Sequence, residues 1–309
     1  AAGEIAYDAT ATTGEDGSFV LERIPHGDGL AYYCQETKTG DDYILDPEVY
    51  EFSVDEEGLI AGEPAYVFLN TNYHKRIIEA HKVDAESGLP VAVPGIEFRV
   101  TAAADVVTPD GTVRAHEGDV VAEVVTGDDG KAETPELYLG RYEVEETLAP
   151  DGYVLNGEPV DVTLSYAGQE VAVTRAGAVV EDAPQKGVIE IVKTDEADGR
   201  AVPGAVYEVT AAADIVTPDG TVHASSGDVV ATVTTGDDGK AETDELYLGD
   251  YNVRETATPD GWAIDHETHM VELSYAGQEV KVTRTVLETA DAPTTFILLK
   301  KAELIDGEL

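Results

Sequence analysis

"TGDDGKAETPELYLGRYEVEETLAPDGY", residues 126–153, holds a turn, an alternation and an anomaly in one line. Gly-Asp-Asp-Gly supplies residues that tolerate the positive φ of a tight turn. The chain then alternates. In an extended strand Tyr142, Val144 and Glu146 share one face, while Glu143 and Glu145 share the other. The second face is wet. The first is apolar until a carboxylate ends it. Working outward, "IEFRV" (96–100) and "VYEV" (206–209) alternate in the same way, and "DVTLSYAGQEVAVT" (161–174) reads as two strands around an Ala-Gly-Gln turn. No long segment carries a helical period. Short strands with Gly-rich turns predict an all-β chain built as antiparallel sandwiches.

The opening stretch is also a repeat. "TGDDGKAET" begins at Thr126 and again at Thr235, "VTPDGTV" at Val107 and Val216, "ELYLG" at Glu136 and Glu245, and "SYAGQEV" at Ser165 and Ser274. Each second copy starts 109 residues after the first, a domain-sized spacing. The expected units are 75–184 and 185–293. Residues 1–74 form a diverged third copy: "TGEDGSFVLERIPHG" parallels "TGDDGKAETPELYLG", without a counterpart of the opening strand "IIEAHKVDAESG" (77–88). Residues 294–309 match that opening strand alone, so the chain reads as a window on a longer array. An orphan last strand that completes the first unit of another molecule is an alternative reading of the same two ends.

Composition limits the function. There are 19 Lys and Arg against 63 Asp and Glu, a formal net charge of −44. That excludes nucleic acid, whose binding needs cationic phosphate contacts, and disfavours anionic membrane surfaces. No apolar run of about 18 residues spans a membrane. The single Cys34 forbids an intrachain disulfide, so any covalent staple must use other chemistry.

The alternation test then singles out charged residues on apolar faces. Tyr142, Val144 and Glu146 share a face, as do Tyr251, Val253 and Glu255, and Tyr32, Cys34 and Glu36. On the opening strand Ile78 and Ala80 align with Lys82, Ile189 and Ile191 with Lys193, and Ile297 and Leu299 with Lys301. Near the unit ends Val180 aligns with Asp182, and Leu287 and Thr289 with Asp291. Each full unit therefore sets one Lys, one Glu and one Asp among apolar neighbours. A lone charge of this kind is a salt bridge or a strand end. Three recurring together need a further reason, because buried ions are costly.

Lys-x-Asp, a "VPGA"-like stretch, Tyr-x-Val-x-Glu-Thr-x-x-Pro-Asp-Gly-Tyr and Asp-Ala-Pro together resemble the collagen-adhesin B-type domain (CnaB, also called SpaA-like or prealbumin-like) of Gram-positive surface proteins and pilins. The resemblance covers 77–293 and, more weakly, 1–72. It implies tandem Greek-key, transthyretin-like β-sandwiches. It also implies a spontaneous isopeptide bond from a first-strand Lys to a last-strand Asn or Asp, assisted by a Glu. Carried onto this chain, the crosslinks are Lys82–Asp182 with Glu146 and Lys193–Asp291 with Glu255. In the first copy Glu36 is present, Asn70 or Asn72 is the candidate acceptor, and the lysine is missing; Lys301 is the donor of a following unit. A desolvated lysine is expected to lose its proton more easily and a desolvated glutamate to keep it.

The implied function is a stalk or spacer of a cell-surface adhesin or pilin, extracellular and wall-anchored by a segment outside this stretch. The alternative is a ligand-binding adhesin module for a host matrix protein or glycan. Implied partners are host extracellular-matrix protein or neighbouring subunits, with the isolated fragment monomeric. No turnover enzyme, cofactor or metal is expected. His116, His223, His266 and His269 show no firm zinc spacing, and the last two are expected in a loop without partners. The Asp-rich "TGDDG" reads as a turn, not a calcium loop. Cys34 beside Gln35 reads as a core thiol, and Trp262 as packing.

Overall fold

Alternation in the sequence becomes alternation in burial. In the computed structural model the strand Lys75–Asp84 buries every second residue from Arg76 to Asp84, with Ile78, Ala80 and Lys82 facing inward. The structure describes residues 8–26, 29–41, 43–65, 67, 73–169, 173–295 and 297. Asn70, Asn72 and Lys301 lie outside them.

The unit from 75 to 184 is a two-sheet sandwich. One sheet is antiparallel and runs in the order Val160–Leu164, Gly140–Leu148, Glu97–Ala102, Val120–Val125. In the other, Lys75–Asp84 is central, flanked by Val173–Asp182 on one side and by Lys131–Glu133 and Leu137–Tyr138 on the other. The two inner faces close on one core, with Ile78, Ala80, Ala178 and Val180 from one sheet against Phe98, Val100, Tyr142, Val144 and Leu164 from the other. The unit from 185 to 293 repeats the plan, with Lys186–Asp195 central beside Val282–Asp291, and Val206–Ala211 and Gly249–Ala257 in the facing sheet. In the first copy Tyr32–Gln35 pairs antiparallel with Val49–Phe52, and Cys34 is only half-buried, so its inward parity does not take it into a sealed core.

One pairing departs from the expected antiparallel plan. The first and last strands of each unit run parallel, Lys75–Asp84 with Val173–Asp182 and Lys186–Asp195 with Val282–Asp291. The two halves of "DVTLSYAGQEVAVT" consequently go to different sheets. Alternation has a period of two in either orientation, so it cannot report the direction of a partner strand.

In each full unit a threonine and a turn glycine join the two connections that cross between the sheets. The Thr126 and Thr235 hydroxyls donate to the Val93 and Val202 carbonyls at 2.8 Å and accept the Ile96 and Ala205 N–H groups. The turn glycines Gly130 and Gly239 sit at φ +71° and +74°, pressed against the neighbouring backbone. The two full units meet with almost no linker. Buried Gln185 donates from Nε2 to the carbonyls of Gly277 and Val280 and accepts the Ala276 N–H at 2.8 Å. Gln278 in the same "SYAGQEV" loop reaches back, accepting the N–H groups of Leu155 at 2.9 Å and Ala149 at 3.0 Å.

Gly239 and Gly199 share a left-handed backbone, φ +74° and +72°, yet a Cβ on Gly239 would lie 2.6 Å from the Lys193 carbonyl while Gly199 faces open space. Gly199→Ala should cost about 1–2 kcal/mol for the backbone alone. Gly239→Ala should cost about 1–3 kcal/mol more for the overlap. Denaturant unfolding of the two variants measures the difference.

Candidate functional site

Parallel, in-register pairing sets the site. Lys82 lies opposite Val180, and Asp182 stands two residues farther along the last strand on the same face. Lys193 lies opposite Thr289, with Asp291 two residues on. The facing sheet supplies the third group. Glu146 and Glu255 pair with Phe98 and Tyr207, and each is followed by a β-bulge that breaks the register. A bulge adds one residue and bends the strand, which re-aims the neighbouring side chain.

All six side chains are buried. Lys82 Nζ donates to both Glu146 oxygens, at 2.7 and 2.6 Å, and is ion-paired with Asp182. Lys193 Nζ donates to Asp291 Oδ1 at 2.5 Å and to Glu255 Oε2 at 3.3 Å. Two remaining donors reach the aspartates: the Asn156 N–H to Asp182 Oδ1 at 3.0 Å, and the Thr258 hydroxyl to Asp291 Oδ2 at 2.7 Å. The sequence-predicted trios Lys82–Glu146–Asp182 and Lys193–Glu255–Asp291 are therefore assembled.

Charge decides the protonation. Each cluster holds one ammonium and two carboxyls, so with both acids ionised it would bury a net negative charge at high cost. Burial holds Glu146 well above the usual carboxylate range, against the opposing pull of Lys82. Burial likewise raises Glu255, against the Asp265 N–H and Lys193. Glu255 Oε1 is buried with no hydrogen-bond partner among the described residues, which further disfavours its anion. A proton on the glutamate leaves one ammonium beside one aspartate. The expectation that burial frees the lysine proton does not hold for Lys193. Burial works against its charge, but Asp291, Tyr207 and Glu255 outweigh it and hold it above its ordinary value.

Other signalled residues fall into place around this centre. The Asp of Lys-x-Asp is structural: Asp84 accepts the Glu86 and Ser87 N–H groups at 2.8 Å and the Tyr153 hydroxyl at 2.9 Å. Trp262 takes the place of Tyr153 and is more than packing, because its Nε1–H donates to Asp195 at 3.0 Å. His269 is not in a loop and not without a partner. It lies on the strand Thr268–Leu273, and its Nε2 is 2.9 Å from Asp265 Oδ2. With Glu267 these two could offer ligand atoms to a metal ion, but the group is part-exposed and largely acidic, and such groups are common without one. "TGDDG" is a turn, with the Gly127 N–H bonded to the Lys131 carbonyl. In the first copy Glu36 Oε2 accepts the Asp46 N–H at 2.8 Å. Sequence reasoning missed Thr258 and residues 156 and 265, whose only signal was a difference between otherwise matching copies.

A family model described as SpaA, prealbumin-like fold domain, matches residues 2–63, 76–177 and 187–286. No curated protein sequence matches the chain. Among solved structures, the Bacillus anthracis TIE protein is similar over 90% of this chain and 44% of its own, at 25% identity and a TM-score of 0.57. The chain thus spans less than half the length of that relative. A Streptococcal ancillary pilin matches 88% of this chain and 76% of its own at 19% identity, TM-score 0.30. The shaft pilin SpaA from Lactobacillus rhamnosus GG matches 73% and 99% at 13% identity, TM-score 0.28.

Burial gives folding a pH dependence whose sign is set by Glu146. Its carboxyl in the folded chain titrates above its ordinary value of 4.5, so above that pH the unfolded chain releases the proton first and the folded unit loses stability as pH rises. In Lys82→Met, which removes the adjacent cation, the melting temperature of this unit should fall from about pH 5 to 8, and adding Glu146→Gln should flatten the profile. Calorimetry across that range checks both.

Proposed function

The chain belongs to the SpaA family of prealbumin-like fold domains, and from that premise we propose that it is a load-bearing stalk segment whose two full units seal themselves with isopeptide bonds, Lys82 to Asp182 and Lys193 to Asp291. The observation that carries this is the burial of lysine, glutamate and aspartate in contact at the meeting point of first and last strands.

The chemistry is a single condensation per unit. Glu146 accepts a proton from the Lys82 ammonium as it passes its own to the Asp182 carboxylate. The neutral amine attacks Cγ of Asp182, the N–C bond forms, and a C–O bond breaks. The departing oxygen leaves as water with the proton Glu146 delivered and one hydrogen of the amine, the amide nitrogen keeps the other, and Glu146 retains the ammonium proton it accepted. No oxidant or co-reactant is needed. Contact between donor and acceptor supplies effective molarity. The glutamate returns to its starting state, yet the site is consumed, so the reaction is self-processing.

The topology gives the bond its mechanical use. Because the strands are parallel, Lys82 and Asp182 both lie near the exit end of the unit, and the chain runs from Asp182 to the next unit's first strand at Lys186. Tension entering along Lys75–Asp84 crosses the bond at Lys82 and leaves through Asp182, and residues 83–181 are bypassed. The Gln185 and Gln278 contacts then hand the load to the next unit without a slack linker. A crosslink closing a loop of about 100 residues stabilises by roughly 4–5 kcal/mol on the chain-entropy argument. The stalk serves a bacterial surface protein or pilus displayed outside the cell, alongside neighbouring subunits. Among the described residues no helix is long and apolar enough to cross a membrane.

Intact-protein mass should be two waters below the value calculated from sequence. Lys82→Ala should restore one water and unfold its unit at lower denaturant by about 4 kcal/mol. A full unreacted mass would overturn the proposal.

A further inference from the structure

The two units do not assist their acceptor aspartates in the same way. In the unit from 75 to 184, Asp182 Oδ1 accepts the Asn156 backbone N–H at 3.0 Å. The Asn156 side chain donates from Nδ2 to the Glu181 carbonyl at 3.0 Å, which holds residue 156 against the last strand. In the unit from 185 to 293 the matching residue is Asp265, and a carboxylate has no hydrogen to donate there. Asp265 instead accepts His269 Nε2–H at 2.9 Å and the Glu267 N–H at 2.8 Å. Its own N–H turns to Glu255 Oε2, at 2.8 Å. Asp291 is then served by the Thr258 hydroxyl at 2.7 Å. The position matching Thr258 in the other unit is Ala149, which has no donor in its side chain.

The exchange is correlated across all three copies. Counting from the glutamate, the third, tenth and fourteenth residues are Ala149, Asn156 and Val160 after Glu146. They are Thr258, Asp265 and His269 after Glu255, and Thr39, Asp46 and Tyr50 after Glu36. In the first copy Tyr50 donates to Asp46 Oδ2 at 2.5 Å, and the Asp46 N–H goes to Glu36 at 2.8 Å. The Thr-Asp-(His or Tyr) set therefore travels with a backbone N–H on the glutamate, and the Ala-Asn-Val set with that N–H on the aspartate.

We propose that Thr258 is a catalytic residue of the unit from 185 to 293, donating its hydroxyl to the Asp291 carboxyl attacked by Lys193, and that Asp265 and His269 are positioning residues that commit the backbone N–H to Glu255 instead. Asn156 directs the equivalent N–H to Asp182 and makes a threonine unnecessary there. The inference rests on the isopeptide reading above. As the amine adds, negative charge builds on the carboxyl oxygens, and a fixed donor at that point lowers the barrier. The N–H on Glu255 stabilises the anion left when that acid gives up its proton, so it helps the acid where the N–H of Asn156 helps the electrophile.

The test follows bond formation in newly synthesised full chain, by the loss of water from the Lys193/Asp291 and Lys82/Asp182 peptide pairs, each resolved separately. Thr258→Ala, which copies the natural Ala149, should slow the first pair at least about tenfold and leave the second pair unchanged as an internal control. Adding Asp265→Asn and His269→Val to Thr258→Ala should return the rate to within about threefold of the unaltered chain, since the N–H is then free to swing to Asp291. An unchanged rate in Thr258→Ala, or no rescue in the triple variant while the control pair still reacts, overturns the inference. Failure of both pairs in the unaltered chain overturns the isopeptide reading beneath it.

Discussion

A charge inside a β-sandwich must be answered, and the answer organises each full unit of this chain. Lys82 and Lys193 sit where an aliphatic residue would be expected, in the middle layer between two sheets. Each is met by an aspartate from the adjacent parallel strand and a glutamate from the opposite sheet. Leaving any one of the three alone would strand a buried polar group at a cost of several kcal/mol. The parallel register, the bulge after the glutamate and the closeness of the strand ends all serve the meeting of these groups.

The same constraint underlies the proposed stalk function. Parallel pairing brings Lys82 and Asp182 to one pole of the unit, so the proposed bond between them would lie on the line from one unit to the next. An antiparallel pairing of the same two strands would set chain entry and exit at that strand pair differently and leave much of the unit in series with the pull. The joint between units extends the line, because Gln185 follows Asp182 by three residues and is buried in contacts with the next unit's Ala276–Val280 loop.

Much of this was legible in the sequence because alternation with period two assigns each side chain to a face. Glu146, Glu255, Lys82, Lys193, Asp182 and Asp291 stood out as charges on apolar faces, and repetition removed accident. The direction of the first–last strand pair was not legible, since alternation is blind to it. His269 was misread as a loop residue because "DHETH" is polar throughout, whereas backbone pairing opposite Val253 places it on the strand that starts at Thr268. Thr258, Asp265 and Asn156 each pass for turn residues. Thr258 offers a hydroxyl, while Asn156 and Asp265 differ in where one backbone N–H points, which goes with the side chain at that position and its contacts with another strand.

The account stands on covalent closure at the two buried clusters. Tandem mass spectrometry of a proteolytic digest tests it at the level of individual atoms. The predicted result is a branched peptide joining Lys82 to Asp182 and a second joining Lys193 to Asp291, each short of one water. Linear peptides carrying unmodified Lys82 and Lys193, with no branched species, would contradict it.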